Sequence, residues 1–212
     1  MGKFKAVCFD MDGTLIINTN SVRFLCCLNN KMEEVMEIEK KVESGQMSLT
    51  EGDYLKSRLI EGLEIKKVKE EFDKYVELID GIGEVTTLLH SQGLMTVLIT
   101  TGPVQVAEVL EDRFGFDAVY GSRYAILDGK YSGAITEHLG PDGKLKALEL
   151  FCRERKIRVK DCIAVGDGYS DLSIFRACGK SIAINYEDSI LGKADEHINT
   201  NNIKNITGFF EL

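Results

Sequence analysis

The sequence predicts an α/β fold: a doubly wound, Rossmann-type parallel sheet with a small helical cap domain inserted after its first strand. From about residue 80 onwards, short apolar runs alternate with helical patterns, which is typical of a parallel sheet with helices on both faces. Residues 18–79 interrupt this alternation with helical patterns alone. We therefore expect residues 1–17 and 80–212 to form the core and residues 18–79 to form the cap.

The individual elements are predicted from the spacing of their apolar residues. The run at residues 4–9, which acidic residues follow at once, predicts a buried first strand. The clearest helical pattern of the insert places apolar residues three or four positions apart, at Ile65, Val68, Phe72, Val76 and Ile79. Beyond the insert the sequence predicts helices at 84–92, 103–114, 145–155 and 171–178, and strands at 95–100, 116–120, 161–165, 181–184 and 197–199.

Two turn signals refine this prediction. Asp128-Gly129 stands between apolar residues and predicts a hairpin at 124–135. Pro103 suits the first position of a helix, because a residue there needs no amide hydrogen bond.

The composition restricts the classes of partner. The chain has 212 residues, of which 44% are hydrophobic and 28% charged, as in an ordinary soluble globular protein. Its formal net charge of −8 argues against nucleic acid and anionic membranes, because both require a basic face. No apolar stretch approaches the roughly 20 residues of a membrane span, and the first residues lack a secretory signal. We expect a cytoplasmic protein with reduced cysteines and a small-molecule partner, and we leave a homodimer open.

Four polar clusters are expected at one edge of the sheet. They follow the first strand, follow the strand at 95–100, begin the helix at 145–155, and follow the strand at 161–165. Ligands of such sheets bind at the carboxyl ends of the strands, so the clusters should converge on one crevice. Their candidate site residues are Asp10, Asp12, Thr101, Gly102, Lys144, Asp167, Ser170 and Asp171.

The acids among these residues predict a magnesium site. Asp10, Asp12, Asp167 and Asp171 would repel one another in a single crevice unless a cation lay between them. Carboxylate oxygens without a nearby His or Cys favour Mg²⁺, which also accepts substrate phosphate oxygens.

Other groups of the crevice suit the remaining phosphate oxygens. Lys144 and the Thr101 hydroxyl can hold them, and the Gly102 amide at a helix start adds a donor where the helix dipole favours anions. A phosphate ester is therefore the expected ligand.

The same residues predict covalent catalysis by a carboxylate. No activated Ser, Cys or His stands beside a base, so an aspartyl-phosphate intermediate is the alternative. Asp10 ends its strand and is the expected nucleophile, and Asp12 can protonate the leaving oxygen and then activate water. A capped turn would explain residues 10–14 taken alone, and Lys144 alone carries little weight. The order and location of all four clusters carry the prediction.

In these motifs the chain resembles the haloacid dehalogenase superfamily of phosphatases. The matching strings are DMDGT at 10–14, TTG at 100–102, Lys144, and GDGYSD at 166–171. The AVGDG string and the spacing from Lys144 to Asp167 look most like the phosphoserine phosphatase branch. The resemblance implies Asp10 as nucleophile and Asp12 as general acid/base. It also implies Mg²⁺ held by Asp10, the Asp12 backbone carbonyl and Asp167, with Asp171 in support, and phosphate held by Thr101, Gly102 and Lys144. Ser170 is a further candidate for substrate or phosphate binding.

The region that would select the substrate departs from that branch. Phosphoserine phosphatases place a Glu soon after the first motif to meet the substrate ammonium, whereas this chain has neutral Thr19. They also carry a cap Arg for the carboxylate, and here Lys56 and Arg58 are both open as its substitute. Loss of the acidic position removes the charge pair that selects an amino-acid ester. We therefore hypothesise that phosphoserine is a poor substrate.

Two rival functions use similar residues. A phosphomutase on the same scaffold would keep Asp10 and Asp12 but yield an isomerised product instead of free phosphate. A receiver-like signalling module would also combine acids, Mg²⁺, a Thr and a Lys. Receivers place the phosphorylated Asp at the third strand and lack a helical insert of this length, so the sequence favours a phosphatase.

Overall fold

A computed structural model describes residues 4–210 of the chain. Its strands are β1 (Ala6–Phe9), β2 (Met95–Pro103), β3 (Ala118–Leu127), β4 (Lys130–Glu137), β5 (Cys162–Gly166), β6 (Lys180–Ile184) and β7 (Glu196–Ile198). They form one seven-stranded sheet in the order β4-β3-β2-β1-β5-β6-β7. β4 runs antiparallel to β3, and the other neighbouring pairs are parallel. The predicted α/β fold is confirmed.

The helices occupy both the insert and the crossovers between strands. They are α1 (Ser21–Leu28), α2 (Met32–Glu43), α3 (Leu49–Leu59), α4 (Lys66–Tyr75), α5 (Ile82–Ser91), α6 (Val104–Phe114), α7 (Pro141–Arg155) and α8 (Leu172–Ala177). The chain enters and leaves α1–α4 at adjacent points, because the Ile17 amide donates to the Glu77 carbonyl at 3.0 Å. This arrangement suits a cap over residues 18–79, although the domain division remains a prediction.

β1 lies at the centre of the sheet and is buried on both faces. Val7 and Phe9 belong to the apolar cluster on one face, whereas Ala6 and Cys8 belong to the cluster on the other. A strand covered by helices on both sides needs an unbroken apolar run, which residues 6–9 supply. The residues that directly follow β1 therefore emerge at the middle of the sheet's carboxyl edge.

The start of α6 differs from the prediction. Pro103 has an extended ψ of 124°, ends β2 and pairs with Ser122, so α6 begins only at Val104. The expectation that Pro103 is the first helical residue was wrong, because pairing with β3 extends the strand beyond its apolar run.

β3 and β4 form the predicted hairpin. Asp128 and Gly129 have φ of 49° and 75°, which is the left-handed conformation that a two-residue turn between these strands requires. The separate strands expected at 116–120 and at the start of the hairpin are one strand, because β3 continues through both.

The cysteines and the helix lengths are further features of the described residues. All six cysteines are free thiols, and five of them are buried. Among residues 4–210, each helix is too short or too polar to cross a membrane.

Candidate active site

Three acids meet at the carboxyl edge of the sheet. Asp10 follows β1, Asp167 follows β5, and Asp171 ends the 3₁₀ turn Tyr169–Asp171. Each contributes a carboxylate oxygen to a group in which all the oxygens lie within 4.8 Å of one another. Residues far apart in the sequence therefore share one small volume, as the topology led us to expect.

Lys144 lies between two of these acids. It belongs to the first turns of α7, and its side chain is fully buried. Its ammonium donates to Asp10 Oδ1 and, at 2.7 Å, to Asp171 Oδ1. Burial acts to lower the pKa of Lys144, but the charges of Asp10 and Asp171 outweigh it and raise the pKa above its ordinary value. Lys144 is therefore a fixed positive charge beside Asp10.

One lysine does not compensate three carboxylates. Burial, followed by repulsion from Asp10 and Asp171, raises the pKa of Asp167 to about 9. Burial is also the largest cause that raises the pKa of Asp171 to about 6, although the Lys144 charge opposes it. Two backbone amides, those of Asp167 and Gly168, donate to Asp171 Oδ2 at 3.1 and 3.2 Å. The cluster retains an excess of negative charge that a cation would neutralise.

The donor set fits a hard divalent cation. The clustered ligand atoms are all carboxylate oxygens, the type that such ions prefer over imidazole or thiolate. Gly13 permits the close approach: it has a φ of +86°, and a Cβ there would lie 2.1 Å from Asp167 Oδ2. The Thr14 hydroxyl lies 3.3 Å from both Asp10 Oδ2 and Asp167 Oδ1 and ties the two acids together.

The Asp12 side chain lies outside this acidic cluster and is held by Ser21. The Ser21 amide donates to Asp12 Oδ1 at 2.7 Å, and the Ser21 hydroxyl donates to Asp12 Oδ2 at 2.6 Å. Removal from water raises the pKa of Asp12, and the two bonds from Ser21 oppose that rise. If Asp12 contacts a cation in this arrangement, it does so through its carbonyl, as the family resemblance implies.

Ser21 is a site residue that the sequence reasoning missed. It is completely buried and is the first residue of α1, directly after the Asn20 N-cap. A serine at a helix start has many ordinary explanations, so its position alone gave no signal of contact with Asp12.

Gly102, in the TTG string at 100–102, also packs against Asp12. A Cβ on Gly102 would lie 2.2 Å from Ser21 Oγ and 3.0 Å from Asp12 Oδ2. The Gly102 amide donates to Thr100 Oγ1 at 2.9 Å, and α6 begins two residues later, at Val104. Thr101 is partly buried next to it, and the Thr101 carbonyl accepts from Ser122 Oγ at 2.7 Å.

The remaining candidates lie in different surroundings. Lys56 is largely buried and pairs with Asp53 at 2.8 Å, whereas Arg58 is exposed to solvent. The Thr19 hydroxyl donates at 3.4 Å to the neighbouring carbonyl of Asn20. Ser170 lines a separate surface cleft whose other lining residues are Asp142, Tyr169, Leu172, Ser173 and Arg176.

A larger cavity of about 480 Å³ is lined by none of the three clustered acids Asp10, Asp167 and Asp171. It is lined by Thr50, Tyr120, Gly121, Arg123, Glu137, His138, Leu139, Gly140, Asp142, Gly143, Lys146, Ala147 and Leu150.

Comparisons with known proteins agree with the fold and the motifs. A family model described as haloacid dehalogenase-like hydrolase matches residues 7–176. The phosphoserine phosphatase of Methanocaldococcus jannaschii is 26% identical over 210 residues, which cover 99% of this chain and 99% of that protein. A substrate-bound phosphoserine phosphatase complex has a TM-score of 0.86 and 25% identity, and the match covers 100% of each chain. A phospho-aspartyl intermediate analogue of phosphoserine phosphatase has a TM-score of 0.84 and 25% identity, and the match covers 98% of this chain and 99% of that one.

Proposed function

The chain belongs to the haloacid dehalogenase-like hydrolase family, in its phosphoserine phosphatase-like branch, and we propose that it hydrolyses a small phosphomonoester through a phosphorylated Asp10. The observation that carries the proposal is the position of Asp10. It ends the central strand, is 3% exposed, and lies against both Lys144 and the other clustered acids. Among the described residues of the cluster, it is the acid presented by the middle of the sheet.

We propose that Asp10, Asp167 and the Asp12 carbonyl hold Mg²⁺, with Asp171 in support. The all-oxygen donor set and the excess negative charge support this assignment. When bound, the ion would offset the repulsion between the Asp10 carboxylate and a phosphate dianion.

The chain's own residues then have separate roles in two steps. An Asp10 oxygen attacks phosphorus and the ester P–O bond breaks, while Asp12 gives a proton to the leaving oxygen. In the second step Asp12 takes a proton from water, which attacks phosphorus and releases inorganic phosphate from Asp10. The raised pKa of Asp12 favours the protonated form that the first step needs. Lys144 donates to Asp10 and orients it, and Lys144, Thr101 and Gly102 are proposed to meet the phosphate.

For the end of the substrate that faces α3, we propose Lys56 as the contact and not Arg58. Lys56 is largely enclosed, and its charge acts on the Asp12 carboxyl, whereas Arg58 faces solvent. Thr19 remains a candidate for substrate contact, as does Ser170, which lines a separate cleft.

A panel of phosphomonoesters assayed with Mg²⁺ tests the proposed function. Asp10→Asn should abolish release of phosphate while the fold is kept, because the amide has the same shape but is not a nucleophile. Asp112→Asn, an identical change at an exposed residue of α6, should keep full activity. Free phosphate is the expected product; an isomerised ester would indicate a mutase, and activity in folded Asp10→Asn would remove Asp10 from its role.

A further inference from the structure

Asp53 on α3 joins two cationic or polar side chains from different parts of the molecule. Its Oδ1 pairs with Lys56 Nζ at 2.8 Å, and its Oδ2 accepts from His138 Nε2 at 2.9 Å. His138 follows β4, so this contact connects α3 to the sheet. The ring of Tyr54 stacks on His138 with centroids 5.6 Å apart, and the three hydrogen-bonded side chains are at most 18% exposed.

This trio, Asp53, Lys56 and His138, lies beside the proposed phosphate site. Leu139, the residue after His138, donates its amide to Ser122 Oγ at 3.0 Å, and Ser122 in turn donates to the Thr101 carbonyl. Tyr124 is also close: burial mainly raises its pKa, and the charges of Asp53 and Asp12 add to the rise. The trio also lies close enough to Asp12 for the charge of Lys56 to act on the Asp12 carboxyl.

The charge of Lys56 is compensated within the trio. The Lys56–Asp53 pair has a formal sum of zero, and both groups are largely removed from water. The nearby Arg23 of α1 is likewise paired, with Glu39 of α2 at 2.6 Å. The position expected to meet an ammonium holds neutral Thr19. The carboxylate of a zwitterionic amino-acid ester would have to compete with Asp53 for Lys56, and its ammonium would have to compete with Lys56 for Asp53.

Resting on the phosphatase activity proposed above, we propose that Asp53 determines the substrate class by neutralising Lys56. The site then prefers a phosphomonoester whose other end is uncharged and carries hydroxyl groups, such as a polyol phosphate, over phosphoserine. Hydroxyl groups can donate to Asp53 and accept from Lys56 without breaking their pair. His138 is a positioning residue that holds Asp53 toward Lys56.

The test compares kcat/KM for glycerol phosphate and for L-phosphoserine with Mg²⁺. The unmodified enzyme should prefer glycerol phosphate by about tenfold or more. Asp53→Asn keeps the shape and frees the Lys56 charge, so the ratio should move toward phosphoserine by about tenfold. Adding Lys56→Gln to Asp53→Asn should cancel this shift toward phosphoserine. Asp112→Asn breaks an exposed lysine–aspartate pair of 2.7 Å between α4 and α6 and should leave the ratio unchanged.

A structural role for Asp53 would change stability and total activity but not the ratio of the two substrates. An unmodified enzyme that prefers phosphoserine, or an unchanged ratio in folded Asp53→Asn, would overturn the proposal and leave the phosphatase function standing. The ranking in the unmodified enzyme decides the matter even if Asp53→Asn does not fold. Failure to hydrolyse any phosphomonoester would instead overturn the proposed function itself.

Discussion

At the scale of single residues, the contact between Ser21 and Asp12 connects a helix start to the proposed acid. Both Asp12 oxygens accept from one buried serine, at 2.7 and 2.6 Å. The carboxyl is therefore held in one orientation before any substrate binds. A proton donor that is already aligned loses less freedom in the transition state than one that must be ordered there.

Ser21→Ala removes the hydroxyl bond and leaves the amide bond, so Asp12 should lose part of its alignment. We expect kcat to fall roughly tenfold to a hundredfold with little change in KM, measured by steady-state kinetics. Ser181→Ala is a matched control, because Ser181 also donates its amide and hydroxyl to one carboxylate, that of Asp195. That control should lose comparable stability and keep kcat; equal kcat losses in both variants would contradict the role of Ser21.

Gly13 is required by two constraints at once. It has a positive φ, and a side chain there would collide with Asp167 Oδ2. Gly13→Ala should therefore lose cation binding and most activity, which calorimetric titration with Mg²⁺ and kinetics would measure. Gly45→Ala has the same backbone strain, with a φ of +73°, but no atom lies near its added methyl. Gly45→Ala should lose about 1 kcal/mol of stability and no activity. Unchanged Mg²⁺ binding in Gly13→Ala would contradict the proposed role of Gly13.

The sequence predicted some of these residues and not others, for a physical reason. Asp10, Asp167 and Lys144 follow from topology, because strand ends of a parallel sheet meet at one edge. Ser21, Asp53 and His138 depend on how the helices of the insert pack against the sheet, which apolar spacing does not specify.

At the scale of secondary structure, buried ion pairs of Lys144 connect α7 to the sheet. Lys144 reaches from its first turns to Asp10 and Asp171, acids supplied by loops after β1 and β5. The apolar side of the same helix packs through Leu148 and Phe151. The helix therefore contributes both to the core and to the charge balance of the site.

Lys144→Met should destabilise the metal-free protein by about 3–5 kcal/mol, because it leaves the buried Asp10 and Asp171 without their cation. Urea unfolding in the presence of a chelator measures this change. The added substitution Asp171→Asn should restore part of the loss, since one uncompensated charge is removed with it. A loss no larger than that of exposed Lys146→Met would contradict a role for this charge in holding α7.

Element types were easier to predict than element ends. The alternation of apolar runs with helical patterns gave the correct order of strands and helices after residue 80. The end of β2 could not be predicted, because Pro103 stays extended through its pairing with Ser122 on another strand. The apolar pattern of residues 95–100 does not indicate that Pro103 will pair with Ser122.

At the scale of the whole molecule, the acidic cluster makes stability depend on pH and on the cation. The pKa of Asp167 is raised to about 9 and that of Asp171 to about 6, mainly by burial, from an ordinary value of 3.8. A carboxyl with a raised pKa holds its proton more tightly when folded. Its contribution to stability is therefore complete below about pH 4 and is lost as the pH rises through about 6 and then about 9.

The chelator-treated protein should accordingly melt at a lower temperature at about pH 9 than at about pH 5. Mg²⁺ should raise the melting temperature most at high pH, where protons do not compete for the carboxylates. Calorimetry with and without Mg²⁺ measures both effects. Asp167→Asn removes one of the titrating groups and should flatten the pH dependence; a steeper one would contradict the assignment.

The central claim is that catalysis passes through an acyl phosphate formed on the Asp10 carboxylate. Its most direct test is to mix enzyme with labelled phosphomonoester, quench with acid within one turnover, and map the labelled peptide by mass spectrometry. The account predicts acid-stable, base-labile phosphate on Asp10 and none in Asp10→Asn. Phosphate found on any other side chain would contradict it.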